Sequence, residues 1–101
     1  MKISFKEMAG RAVEAEQFLK ELANGNRLMV LCALSEGELS VGELNEQIPL
    51  SQSALSQHLA RLRSAGFVST RRESQTIYYQ LADKRVKAIV KDLYRLFCEA
   101  R

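Results

Sequence analysis

Ser40-Val-Gly-Glu-Leu-Asn-Glu-Gln-Ile-Pro-Leu-Ser-Gln-Ser-Ala-Leu-Ser-Gln-His-Leu-Ala-Arg-Leu-Arg63 is the stretch whose reading decides the fold. It reads as two short amphipathic helices joined by a tight turn at Ile48-Pro49-Leu50, the pattern of a helix-turn-helix. Ser40 with Glu43 matches a capping box, in which the hydroxyl and the carboxylate each take one backbone N–H left without a partner at a helix start. Val41, Leu44 and Ile48 form the stripe that the first helix buries. Ser51 is a second cap, after which Ala54, Leu55, Leu59 and Leu62 recur at helical spacing until Gly66 ends the run. Gln52, Ser53, Ser56, Gln57 and Arg61 fall largely on the opposite, wet face. Such a unit docks its second helix in the major groove of DNA; it does not build an active site.

Outward from this stretch the periods change. Phe5, Met8, Ala9, Ala12, Val13, Phe18, Leu19 and Leu22 recur as on a helix across residues 5–22. Asn24-Gly25 breaks that pattern; Gly25 suits a helix end and an Asn a new start. Leu28-Met-Val-Leu-Cys-Ala-Leu34 is almost continuously apolar, which predicts a second helix buried on most of its surface. Beyond Gly66, Phe67-Val-Ser-Thr-Arg-Arg72 and Thr76-Ile-Tyr-Tyr-Gln-Leu81 are rich in β-branched and aromatic residues and read as a hairpin joined through Glu73-Ser74-Gln75. A hairpin in this place is a wing. Asp83 caps a last helix with Val86, Ile89, Val90, Leu93, Leu96 and Phe97 as its apolar positions. The expected fold is mainly α with a small β-hairpin, a winged helix-turn-helix in the order α-α-α-α-β-β-α, as one domain over 1–101.

Composition agrees with a globular chain. Of 101 residues, 47% are hydrophobic and 27% charged, ordinary values for a soluble domain. Met1-Lys-Ile-Ser-Phe-Lys-Glu-Met8 lacks the apolar core of a signal peptide, and no apolar run is long enough to cross a bilayer. A cytoplasmic protein with no membrane partner is the expectation. Charge is uneven: residues 1–60 carry five Lys/Arg against eight Asp/Glu, whereas residues 61–101 carry ten against four. That segregation suits a polyanion, although a solvated basic face gives the same count.

The candidate DNA contacts follow. Ser51, Gln52, Ser53, Ser56, Gln57 and His58 lie where base edges or phosphates are reached, and a Gln pairs with adenine through both its donor and its acceptor. Arg61 and Arg63 are placed for backbone charge. On the hairpin, Arg71 and Arg72 with Gln75 and Thr76 suit the flanking minor groove; a charged edge strand that blocks aggregation is the plain alternative. His58 is the only histidine, so neither a zinc site nor a Ser-His-Asp or Cys-His catalytic set is on offer. With no Gly-rich phosphate loop either, the chain reads as neither an enzyme nor a cofactor protein. A module docking an acidic protein partner is the rival from another class. The first and last helices carry more apolar positions than so small a core covers, which predicts a homodimer.

Cys32 and Cys98 are the remaining informative pair. Cys32 sits in the buried helix, where a free cysteine commonly packs as a small hydrophobe. Cys98 lies near the chain end, with Arg95 and Arg101 close in sequence to favour a thiolate. With two thiols and no structural need for a disulfide, a reversible link would be regulatory.

Leu22-Ala-Asn-Gly-Asn-Arg-Leu28, Leu39-Ser-Val-Gly-Glu-Leu44, Leu50-Ser-Gln-Ser-Ala-Leu-Ser-Gln-His-Leu59, Leu62-Arg-Ser-Ala-Gly-Phe-Val68 and Tyr78-Tyr79 together resemble the ArsR/SmtB family of winged-helix repressors, over essentially the whole chain. The resemblance implies a dimer built on the first and last helices, which releases operator DNA when a ligand binds. Many members sense metals through a Cys-x-Cys pair in the third helix, and here Ser40-Val41-Gly42 stands in that region. Others use Asp/His sets on the last helix; Asp83 stands at the first such position and no histidine follows. Cys32 and Cys98 match instead the HlyU/BigR/YgaV-like subgroup. That resemblance implies a redox-sensing pair reacting with a small oxidant or sulfur species, a persulfide or polysulfide, to form a bridge. The alternative keeps DNA binding without the switch and acts by competition with another DNA-binding protein.

Overall fold

The computed structural model describes residues 1–99. Ser4 starts α1 (Phe5–Leu22) by accepting the Glu7 N–H on its hydroxyl. Asn24 then starts α2 (Gly25–Ala33), its side-chain oxygen accepting the Arg27 N–H at 3.0 Å. Gly25 therefore opens a helix instead of closing one, because the asparagine cap takes the boundary. Leu34–Glu36 tighten into a single 3₁₀ turn, and Gly37 reverses the chain at φ 144°, where a side chain would be strained.

A two-residue strand follows that the periodicity does not reveal. β1 (Leu39–Ser40) leads directly into α3 (Val41–Gln47), and the capping box is present in both directions. Ser40 Oγ accepts the Glu43 N–H at 3.1 Å while the Ser40 N–H donates to Glu43 Oε1 at 2.9 Å. The turn at Pro49 is held by the Asn45 amide, which donates to the Leu50 carbonyl at 2.8 Å. Ser51 caps α4 (Gln52–Ser64) through the Ala54 N–H, and Gly66 closes it at φ 79°.

β2 (Val68–Glu73) and β3 (Thr76–Leu81) pair antiparallel from Val68 opposite Leu81 to Glu73 opposite Thr76. Glu73, expected in the loop, extends the ladder, so Ser74 and Gln75 alone make the turn, with Ser74 at φ 56°. Phe67, expected in the strand, precedes it and is buried. β3 also pairs with β1, Leu39 opposite Tyr79 and Ser40 opposite Tyr78, giving a three-stranded sheet in the order β1-β3-β2. Asp83 caps α5 (Lys84–Tyr94) through the Arg85 N–H, and a wider π-type turn over Arg95–Glu99 continues the helix.

The order α-α-α-α-β-β-α is thus observed with β1 added. The core is built around α2: Val30, Leu31 and Leu34 meet Leu44 and Ile48 of the α3 segment, Leu55, Leu59 and Leu62 of α4, and Val86 and Val90 of α5. Each such leucine is worth about 2–5 kcal/mol against alanine. The expectation for α2 needs one correction, since Met29 is exposed. Arg27 is the one charged residue buried among those described, at 6% exposure. It is tolerated because its guanidinium donates to the Glu21 carbonyl at 2.8 Å and the Lys20 carbonyl at 3.1 Å, closing the end of α1.

Candidate nucleic-acid interface and thiol cleft

α4 turns Leu55, Leu59 and Leu62 into the core, which fixes what faces out. Ser53, Gln57, Ala60 and Ser64 form the outermost strip at helical spacing, with Gln52 and Ser56 beside it, all exposed. None of Gln52, Ser56 and Gln57 makes a side-chain hydrogen bond within the described residues, so their donors and acceptors stand open. Ala60 and Ser64 extend the strip beyond the residues the sequence singled out. Ser51 differs from its neighbours, since its hydroxyl is committed to the cap at 3.2 Å from the Ala54 nitrogen. His58 is half-buried on the flank, between the strip and the core.

The four candidate arginines divide into two kinds. Arg61 reaches α1 and holds Glu21 in a charge-assisted bond of 2.8 Å from Nε to Oε2. Arg71 sits between Glu38, at 2.6 Å, and Glu73, at 2.7 Å, with its guanidinium 4.6 Å above the Tyr78 ring. These bonds, Glu38 foremost, make Arg71 still harder to deprotonate, and the same contact lowers the Glu38 carboxyl below its usual value. Arg63 and Arg72 make no ion pair with any described residue, and both are exposed. Gln75 and Thr76 lie exposed at the hairpin tip. Sequence reading missed Glu21 and Glu38 because their partners lie 40 and 33 positions away.

Cys32 faces a separate feature. A cleft of about 530 Å³ lies between α2 and α5, lined by Cys32, Ser35 and Glu36 on one wall and Lys87, Val90, Lys91 and Tyr94 on the other. The four α5 residues recur every three or four positions and so share one helix face. Ser35 Oγ donates to the Cys32 carbonyl at 2.6 Å. Burial pushes the Cys32 thiol up, and the neighbouring Cys98 adds in the same direction. Both cysteines are present as thiols; Cys32 is half-buried and Cys98, within the π-type turn, is exposed. Arg101, which the sequence sets near Cys98, lies outside the described residues. Neither a cluster of metal-ligating side chains nor a helix long and apolar enough to cross a membrane occurs among the described residues.

The outer helices are bare in another way. α1 exposes Phe5 (85%), Met8, Val13 (68%) and Leu19, and the chain beyond α5 exposes Leu96 and Phe97 (74%). Apart from Leu22, α1 has no buried residue.

This geometry has close counterparts. Residues 24–70 match the family described as "Bacterial regulatory protein, arsR family". The transcriptional activator HlyU of Vibrio cholerae serotype O1 is 50% identical, across 97% of this chain and 91% of its own. The reduced form of Vibrio cholerae HlyU superimposes with a TM-score of 0.86 at 51% identity, covering 93% of this chain and 99% of the other. The transcriptional repressor BigR of Xylella fastidiosa superimposes with a TM-score of 0.91 at 44% identity, covering 95% and 98%. These relatives are regulators of transcription, not enzymes.

Proposed function

We propose, from the premise that this chain belongs to the bacterial arsR family of DNA-binding transcriptional regulators, that it is a homodimeric repressor whose hold on operator DNA is set by the state of Cys32 and Cys98. The DNA-facing part rests on the α4 strip. Gln57 and its neighbours read base edges, Arg63 and Arg72 neutralise phosphate, and two copies read half-sites related by the dimer axis. Arg61 and Arg71 act less directly, by fixing α4 against α1 and the wing against the turn before β1.

One observation carries the switch: Cys32 opens onto a cleft and lies near enough to Cys98 that charge there makes ionising Cys32 costlier. A persulfide donor transfers its outer sulfur to Cys32, and the donor thiol leaves. The Cys98 sulfur then bonds to Cys32 Sγ and displaces the added sulfur as hydrosulfide, with the Cys98 proton leaving on it. The resulting link ties α2 to the chain end, and affinity falls to the extent that the linked form favours an arrangement of the α4 helices that fits DNA less well. The comparison with a protein described in its reduced form supports this reading.

The test is operator affinity, on a duplex selected from a random library, with and without a persulfide donor. Modified wild type should bind about 5- to 150-fold more weakly, and Cys32→Ser should not respond. Wild-type affinity that stays constant after mass spectrometry confirms modification would leave a regulator without a thiol switch.

A further inference from the structure

The cleft beside Cys32 holds more chemistry than a thiol. Lys87 and Lys91 stand one turn apart on α5 and line the same wall, and neither ammonium makes a hydrogen bond or ion pair with any described residue. Opposite them the only acidic lining group among the described residues is Glu36, so these set two ammonium groups against one carboxylate. Most other cations near the core are spoken for: Arg27 by carbonyls, Arg61 by Glu21, Arg85 by Asp83. Two unneutralised ammoniums on the wall facing a half-buried thiol create a positive potential in the cleft, which concentrates anions there. At about 530 Å³ the space admits a small molecule as well as a bare ion.

We infer that Lys87 and Lys91 make this cleft a binding site for anionic sulfane-sulfur donors, seating the donor's charged group so that its outer sulfur meets Cys32. This rests on the thiol-switch reading and adds to it the residues that seat an anionic donor. In the step, a bond forms between Cys32 Sγ and the outer sulfur of the persulfide anion RS–S⁻, and the donor S–S bond breaks. The Cys32 proton goes to the departing RS⁻ as RSH, leaving the persulfide anion on Cys32. The persulfide charge that enters on the donor stays in the cleft, now on the enlarged Cys32 side chain facing the same two ammoniums. The lysines thus hold both the incoming and the transferred charge and are positioning residues, while Cys32 alone makes bonds. Tyr94, which also lines the cleft, brings a phenol that can hydrogen-bond either species. Two sources share this chemistry: organic persulfides bearing a carboxylate and inorganic hydrodisulfide.

The experiment uses the full-length reduced protein and persulfides of three thiols alike in size: 3-mercaptopropionate, 2-mercaptoethanol and cysteamine. The readout is the ratio of Cys32 modification rates, anionic donor over cationic donor, by quenched mass spectrometry at low and high salt. Wild type should give a ratio of about three to ten that shrinks with salt. Lys87→Gln/Lys91→Gln should bring it near one, and Lys87→Glu/Lys91→Glu should invert it. Alkylation by neutral iodoacetamide reports thiol reactivity alone and separates it from donor recognition. Disodium disulfide identifies the source: equal sensitivity to the lysines means that they read the charged sulfur, and sensitivity only with mercaptopropionate persulfide means that they read the carboxylate. A wild-type ratio near one, or one unmoved by the double glutamine variant, overturns the inference alone. A wild type whose Cys32 no donor modifies overturns the thiol switch and the inference together.

Discussion

The outer strip of α4 and the outer face of α1 are both open to water, but they expose opposite chemistry. α4 presents Ser53, Gln57 and Ser64 around a small Ala60, so its surface offers hydrogen bonds and permits close approach. α1 presents Phe5, Met8, Val13 and Leu19, and the end of the chain adds Leu96 and Phe97. Solvated amides cost nothing in water and gain specificity on a polar partner. Exposed aromatic and aliphatic side chains cost about 25 cal/mol for each Å² left wet and are relieved by an apolar one. The two surfaces therefore suit different partners: a polar one on α4 and an apolar one on the outer helices, as the proposed DNA-bound homodimer supplies.

The most severe way to break this contrast is to make the apolar face polar. Val13→Asp/Leu19→Asp alters only exposed positions, so the fold should stand while the dimer mass in sedimentation gives way to the monomer. Operator affinity should fall about 100-fold or more, because each half-site then binds alone. A double variant that remains dimeric and binds normally would mean the face has another purpose. A smaller effect should come from the polar strip: Gln57→Ala should weaken operator binding about 5- to 150-fold and leave binding to random duplex nearly unchanged. Equal losses on both duplexes would make Gln57 a phosphate contact. The finest distinction lies within the wing. Arg72→Ala should lower the slope of log affinity against log salt by about one per subunit, whereas Arg71→Ala, whose charge is already answered by Glu38 and Glu73, should change it less. Identical salt slopes would show that Arg71 leaves its carboxylates on DNA.

Sequence and structure agree where the governing forces are local. Ser40 with Glu43, Ser51 and Asp83 announce helix starts because a cap and its N–H lie within three residues. The α4 strip is legible for a similar reason, since helical spacing alone puts Gln57 opposite Leu55 and Leu59. What closes only in three dimensions was not legible. β1 is two residues long and exists through Tyr78 and Tyr79, far along the chain. Equal sequence cues attach to Arg71 and Arg72, yet one is clamped and the other open, because Glu38 and Tyr78 arrive from elsewhere. The cysteines could be placed on their helices, but the cleft needs α5 to cross α2 before Lys87 and Lys91 face Cys32.

Ser40 is shared property. Its backbone belongs to the sheet opposite Tyr78, while its hydroxyl and N–H belong to the start of α3. No slack separates the wing from the helix-turn-helix, so the chain tolerates no change of length there. One inserted residue between Leu39 and Val41 must either slip the strand, turning Leu39 out of the core side of the sheet, or strip α3 of its cap. The Ser74-Gln75 turn is the opposite case: an added residue there lengthens the wing without shifting the reading head.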